Sequence, residues 1–151
     1  MKRRYIYFPL AVGILIPSLV IFILEVFIAK ISPFKSVLDI LHRQFAEGQN
    51  LFLIMVLSFI PFGALILLTW VLEAKVDSSR LACIFWGGFI AVLGLTLVGH
   101  VSVWYPLYAG KHMSSTDVVA FIFIPIYCLF MLIVGSLIGW IVSFLPKLIK
   151  G

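Results

Sequence analysis

The chain has 151 residues, of which 64% are hydrophobic and only 11% are charged, and its mean hydropathy is +1.23. Since soluble domains use roughly half apolar residues, this composition excludes an ordinary soluble domain and predicts a membrane protein. Each bilayer crossing needs about 20 apolar residues, so four crossings would use nearly all of this length. The net charge of +5 does not indicate nucleic-acid binding, because the cations lie mostly at the ends of apolar stretches.

Four apolar stretches are long enough to cross a bilayer, and they cover residues 6–29, 51–72, 81–103 and 118–145. The first stretch is too long for the hydrophobic region of a signal peptide, so we expect it to be an uncleaved span. Short connections make successive spans antiparallel. The sequence therefore predicts an all-α polytopic membrane protein, a single domain over residues 1–151 with four transmembrane helices in an antiparallel bundle.

The distribution of cations predicts the orientation of the spans. One side would carry Lys2, Arg3, Arg4, Lys75, Arg80, Lys147 and Lys150, and the other would carry Lys30, Lys35, Arg43 and Lys111. The positive-inside rule places the richer side, which includes both termini, in the cytoplasm. The short loops and the lack of an Asn-x-Ser/Thr acceptor site favour a bacterial inner membrane.

The first connection predicts a short interfacial helix from Ser36 to Ala46, with Ser36 as its cap. Four apolar side chains fall near one helical face: Val37, Leu38, Leu41 and Phe45. Such an amphipathic segment is typical of helices that lie in the bilayer surface, so the lipid itself is an expected partner.

Ionisable residues inside spans are the strongest functional indicator in a membrane sequence, and the spans contain two, Glu25 and His100. Each lies 19 residues beyond the start of its span, roughly 28 Å across the membrane at about 1.5 Å per residue. Because the two share a depth near the outer edge of the hydrocarbon, we predict an intramembrane polar pair. Histidine titrates near neutrality, so such a pair could respond to external pH. The alternative is that each side chain simply reaches interfacial water.

Small residues recur at helical spacing in the last two spans. Gly87, Ala91 and Gly94 share a face of the third span, and Gly135 and Gly139 form a G-x-x-x-G pattern in the fourth. Such seams let helices approach closely in lipid. They predict either packing within one chain or the interface of a homo-oligomer.

Three spans contain an internal proline, namely Pro17, Pro61 and Pro125. A proline removes one helical hydrogen bond and tends to kink the helix. These residues are candidate hinges, although proline is also frequent in membrane helices that do not move.

The turn over residues 73–80 is predicted to lie in the cytoplasm. Its charged residues Glu73, Lys75, Asp77 and Arg80 are candidates for contact with a soluble protein partner. No catalytic motif, metal-ligand cluster or phosphate-binding loop is recognisable in the sequence, so it predicts a protein that is not an enzyme and has no metal or cofactor.

These features favour a non-enzymatic, oligomeric membrane subunit that senses the envelope or anchors a soluble cytoplasmic partner. A role in bacterial immunity or phage defence is an analogy at the level of architecture alone. The alternatives are a small oligomeric channel or transporter, with the prolines permitting gating, and an accessory or immunity subunit that packs against another membrane protein.

Overall fold

The computed structural model describes residues 4–45, 50–110 and 115–145. Its helices are α1 (Arg4–Phe27), α2 (Pro33–His42), α3 (Leu51–Glu73), α4 (Ser78–Tyr108) and α5 (Ser115–Val142), and a 3₁₀ turn, Arg43–Phe45, follows α2. Ala46 of the predicted interfacial helix lies outside the described residues. So do five cations of the charge pattern, Lys2, Arg3, Lys111, Lys147 and Lys150.

The helices α1, α3, α4 and α5 are long and apolar enough to cross a membrane. This confirms the predicted all-α bundle of four membrane-spanning helices, and the short helix in the first connection is also present. Helix α1 packs against α3 and α4, α5 packs against α4 and α3, and α3 also contacts α4. Helices α1 and α5 therefore lie at diagonally opposite corners of an antiparallel bundle.

Helix α4 is longer than the predicted span 81–103. Its 31 residues extend about 46 Å, whereas the hydrocarbon of a bilayer is about 30 Å thick. The segment Trp104–Tyr108, expected to be a connection, is instead its last helical turn, and Pro106 lies within it. As a result, Tyr108 is held at the end of a continuous helix, where it packs at the margin of the apolar core.

Helix α2 begins earlier than predicted. Pro33 occupies its first turn, where the missing proline N–H has no helical partner to lose, and Ser32 is the residue that precedes it. Ser36 is therefore not the cap: it lies inside the helix, and its side chain is buried.

The small-residue seams are used within the chain, between α4 and α5. A Cβ atom added at Gly139 would collide with the backbone of Cys83, and one added at Gly87 would collide with that of Gly135. Ala91 faces Gly135 in the same contact, whereas Gly94 has open space beside it. Because lipid provides no hydrophobic force between helices, this close backbone contact is what lets α4 and α5 pack tightly. A homo-oligomer stays a prediction, and it would use other surfaces.

The centre of the bundle is filled by apolar side chains. Phe62, Phe85 and Phe89 are buried, with the Phe62 and Phe89 rings 6.0 Å apart. The candidate hinges Pro17, Pro61 and Pro125 are buried as well, inside helices that continue through them. Their role as hinges stays a prediction.

The close contact at Gly139 can be tested by adding one methyl group. We expect Gly139→Ala to lower the free energy of unfolding in detergent by about 1–3 kcal/mol, because the α4 backbone leaves no room for a Cβ atom. The matched control Gly94→Ala should leave it unchanged or slightly higher, since alanine is the better helix former. Equal losses from the two variants, measured by denaturant titration, would contradict this packing.

Candidate functional site

The Glu25 carboxylate lies near the end of α1, where the chain reverses into α2. Lys30 adopts a left-handed conformation with φ 57°, and the Ile31 N–H donates to the Glu25 carbonyl oxygen at 3.0 Å. This tight reversal brings α2 back over the end of α1. The Glu25 side chain is consequently completely buried, with 0% exposure.

Three side chains surround this carboxylate and define the Glu25 cluster. The Ser36 hydroxyl of α2 donates to Oε2 at 2.6 Å, and the Tyr108 hydroxyl of α4 donates to Oε1 at 3.0 Å. Arg43, directly after α2, donates to the Tyr108 oxygen at 2.8 Å and places its second terminal nitrogen 3.3 Å from Oε1. One carboxylate thus joins α1, α2 with its 3₁₀ turn, and α4.

The buried carboxylate makes the cluster costly to disrupt. Removing one partner of a buried ion pair typically costs about 3–5 kcal/mol, because the remaining charge is left uncompensated. Arg43 is still 27% exposed, whereas Glu25 is closed off from the surroundings. Water or a lipid headgroup can therefore reach the cluster at the Arg43 guanidinium and at the half-buried Tyr108, but not at the carboxylate.

The opposite face of α2 and of the turn after it is largely uncovered by the described residues, and its one ring contact among them joins Phe45 to Phe52, with centroids 5.5 Å apart. Phe34, Leu41 and Phe45 are 77%, 61% and 76% exposed, and Val37 and Leu38 are also exposed. Ser36 and Ile40, one turn apart, are the residues that α2 buries against the bundle. An apolar face of this kind is stable only when it lies in lipid or against another apolar surface.

A second polar site, the His100 cluster, lies between α3, α4 and α5. The His100 Nε2 atom is 2.7 Å from the buried Ser58 hydroxyl. Phe121 of α5 packs against both the His100 and Trp104 rings, at centroid distances of 5.8 and 5.3 Å. The His100 Nδ1 and Trp104 Nε1 atoms are buried, and neither has a hydrogen-bond partner among the described residues.

The contacts of His100 differ from those of a histidine that activates a serine. In such a pair a third group usually orients the imidazole through its other nitrogen, and the described part of the chain places no such group at the His100 Nδ1 atom. Ser58 is only 3% exposed, which also closes it to a substrate. The Ser58–His100 pair is a buried polar contact between α3 and α4.

The two ionisable residues of the predicted polar pair are therefore bonded to different partners. Glu25 is bound to the α2 segment and to Tyr108, and His100 to Ser58. Within the described ranges, no hydrogen bond joins the two.

At the opposite end of the bundle, the turn between α3 and α4 exposes Glu73, Lys75 and Asp77. Arg80 is more engaged, because its guanidinium lies 5.0 Å from the centre of the Phe144 ring and its Nε atom is 3.8 Å from Asp77. Three of the four residues predicted to contact a partner are thus exposed and Arg80 is partly buried, and their contact with a soluble protein stays a prediction.

Sequence reasoning missed three partners of Glu25, namely Ser36, Arg43 and Tyr108, and missed Ser58 as the partner of His100. One signal was present for Ser36: it lies one helical turn before Ile40, on the side of α2 away from most of the apolar residues. Nothing in the sequence places Tyr108, 83 residues away, beside Glu25.

Comparison with known proteins adds no relative: no protein-family model, no curated protein and no solved structure matches this chain. The functional argument therefore depends on the chain's own geometry.

The Tyr108 hydroxyl provides a test of the Glu25 cluster. We expect Tyr108→Phe to lower the free energy of unfolding by about 1–3 kcal/mol, because it removes a hydrogen bond from a buried carboxylate. The matched control is Tyr105→Phe, on the same helix but with an exposed side chain, and it should change little. Denaturant titration in one detergent compares them, and an equal effect would contradict the cluster.

Proposed function

We propose that this chain is a non-enzymatic integral membrane subunit that senses the lipid surface through α2. We place it in a bacterial inner membrane with both termini in the cytoplasm, so that α2 lies on the outer leaflet. The observation that carries the proposal is the fully buried Glu25 carboxylate, which ties a surface helix to the ends of two spans.

Helix α2 has the properties of a lipid-sensing element. Its exposed apolar side chains, including Phe34 and Leu41, gain stability only by inserting between lipids. The depth of that insertion depends on how tightly the lipids pack. A change in lipid packing in the outer leaflet therefore changes the free energy of α2 in its position against the bundle.

The Glu25 cluster supports transmission of that change to the rest of the bundle. If α2 shifts, Ser36 and Arg43 move relative to Glu25, and Tyr108 loses or gains its bond to the same carboxylate. Tyr108 belongs to α4, which continues without a break to Ser78 at the other end. One rigid helix thus links the outer cluster to the cytoplasmic turn, where a soluble partner would read the shift.

Two observations weigh against the other classes of function. A Ser58–His100 pair with no orienting group among the described residues supports a role outside catalysis. Buried phenylalanines such as Phe62 and Phe89 in the centre of the bundle give no support to a pore through one chain. An oligomeric channel stays the alternative, and solute flux from liposomes above that of empty vesicles would favour it.

Hydrogen exchange in nanodiscs tests the sensing proposal. We expect a change from saturated to polyunsaturated lipids to alter amide protection in α2, and also at residues 20–27 of α1 and 100–108 of α4. In Glu25→Gln the response of α2 should persist, whereas the response of the two span ends should be lost, because the neutral amide no longer binds Arg43 as a counter-ion.

A matched control removes a charge from α2 outside the cluster. Asp39→Asn makes the same chemical change as Glu25→Gln, and it should leave the coupled response intact. Span ends that respond equally in wild type and Glu25→Gln, or an α2 that ignores the lipid, would overturn the proposal.

The cytoplasmic turn provides a separate test of a soluble partner. We expect the triple variant Glu73→Gln, Lys75→Gln and Asp77→Asn to lose a soluble chain that co-purifies with the wild type from its own host. Arg80 is retained because it packs on Phe144, and Lys35→Gln, at the other end of the bundle, is the control. Native mass spectrometry measures the complex, and unchanged retention would count against this docking surface.

A further inference from the structure

A second surface feature, an apolar groove, lies between α3, α4 and α5 near the cytoplasmic turn. Its volume is about 280 Å³, and its lining includes Leu68, Leu72, Val76, Ile84, Ser136 and Trp140. The Trp140 side chain is 46% exposed, so the groove opens on the outer surface of the bundle. With the spans in a bilayer as proposed above, this surface would face the acyl region of the membrane.

A cation lies at the polar end of the groove. Arg80 precedes the lining residue Ile84 by one helical turn of α4, and its guanidinium lies 5.0 Å from the Phe144 ring centre. The Phe144 ring in turn contacts Trp140, another lining residue, with their centroids 5.0 Å apart. The arginine is thus connected to the groove through the Phe144 ring and lies one helical turn from its wall.

One donor of this arginine makes no hydrogen bond within residues 4–45, 50–110 and 115–145. It is the Arg80 Nε atom, which is buried. The ion pair of this atom with Asp77 is long, at 3.8 Å, and the Asp77 side chain is 77% exposed. Lys75 adds a second exposed cation beside the lining residue Val76. Glu73 and Asp77 are exposed in the same turn, so the charges balance, and an anion is favoured here by the buried Arg80 Nε donor and not by net charge.

The apolar groove suits the acyl chain of a lipid molecule, and the cations at its mouth suit the headgroup. In a bilayer an apolar groove gains little by excluding other apolar groups, because lipid tails are as apolar as leucine. Selective binding must come from the headgroup, and basic pockets between helices on the cytoplasmic side are suited to anionic headgroups. We infer that the groove binds one anionic glycerophospholipid, with an acyl chain against Leu72 and Ile84 and its phosphate at Arg80 and Lys75.

Native mass spectrometry tests this site with two defined lipids of identical acyl chains, phosphatidylglycerol and phosphatidylcholine. We expect the wild type to retain one phosphatidylglycerol with about fivefold preference, the scale of one cation acting near a charged lipid. Arg80→Gln should abolish the preference between the two lipids. Leu72→Trp should fill the groove and remove both adducts.

Matched variants distinguish loss of lipid binding in the groove from loss of the folded structure. Leu67→Trp adds the same side chain to an exposed position of α3, and it should retain the lipid. Leu137→Trp, on the α5 wall of the groove, repeats the blocking experiment if Leu72→Trp unfolds, as judged by gel filtration and thermal unfolding.

Four results would overturn the inference. They are equal retention of the two lipids by the wild type, retention of phosphatidylglycerol by both groove-filling variants, its displacement by inorganic phosphate alone, and a dimer that is lost on filling the groove while no lipid is bound. None of these measurements depends on α2, so the proposed sensing function can fail or succeed independently.

Discussion

The buried Glu25 carboxylate is the constraint on which the arrangement of this protein depends. A charge removed from water at the end of a span is costly unless counter-charge and hydrogen bonds surround it. Glu25 obtains them from three separate parts of the chain: Ser36, Arg43 and Tyr108. The short helix α2 and the 3₁₀ turn after it bring two of these partners, which holds them against the bundle, and the part of α4 beyond the predicted span brings the third.

Helix α4 organises the rest of the bundle. Its glycine face lets α5 approach so closely that the Gly139 backbone lies against that of Cys83, which compensates for the absence of a hydrophobic force between helices in lipid. Its two ends carry Tyr108 and Arg80, one in the Glu25 cluster and one at the mouth of the apolar groove. The proposed lipid contacts in both leaflets thus act on one continuous helix.

Much of the fold was accessible from the sequence because the bilayer imposes strong, local rules. Hydropathy over about 20 residues identified the four spans, and an amphipathic pattern identified α2. The predicted boundaries were less accurate where polar contacts outside the hydrocarbon extend a helix, as in the turn ending at Tyr108. The start of α2 was misplaced because Ser36 resembles a cap in sequence but serves as a hydrogen-bond donor to Glu25.

By itself the sequence determined that this is an all-α membrane protein with four spans and few buried ionisable groups, because these properties follow from composition and short-range periodicity. Only the tertiary structure decided which side chains Glu25 and His100 contact. Depth along a span suggested that Glu25 and His100 meet, but the azimuth of each side chain around its helix directs one to α2 and Tyr108 and the other to Ser58. That azimuth is set by how helices pack over distances of many residues, as is the use of the Gly87 and Gly135 seams within one chain.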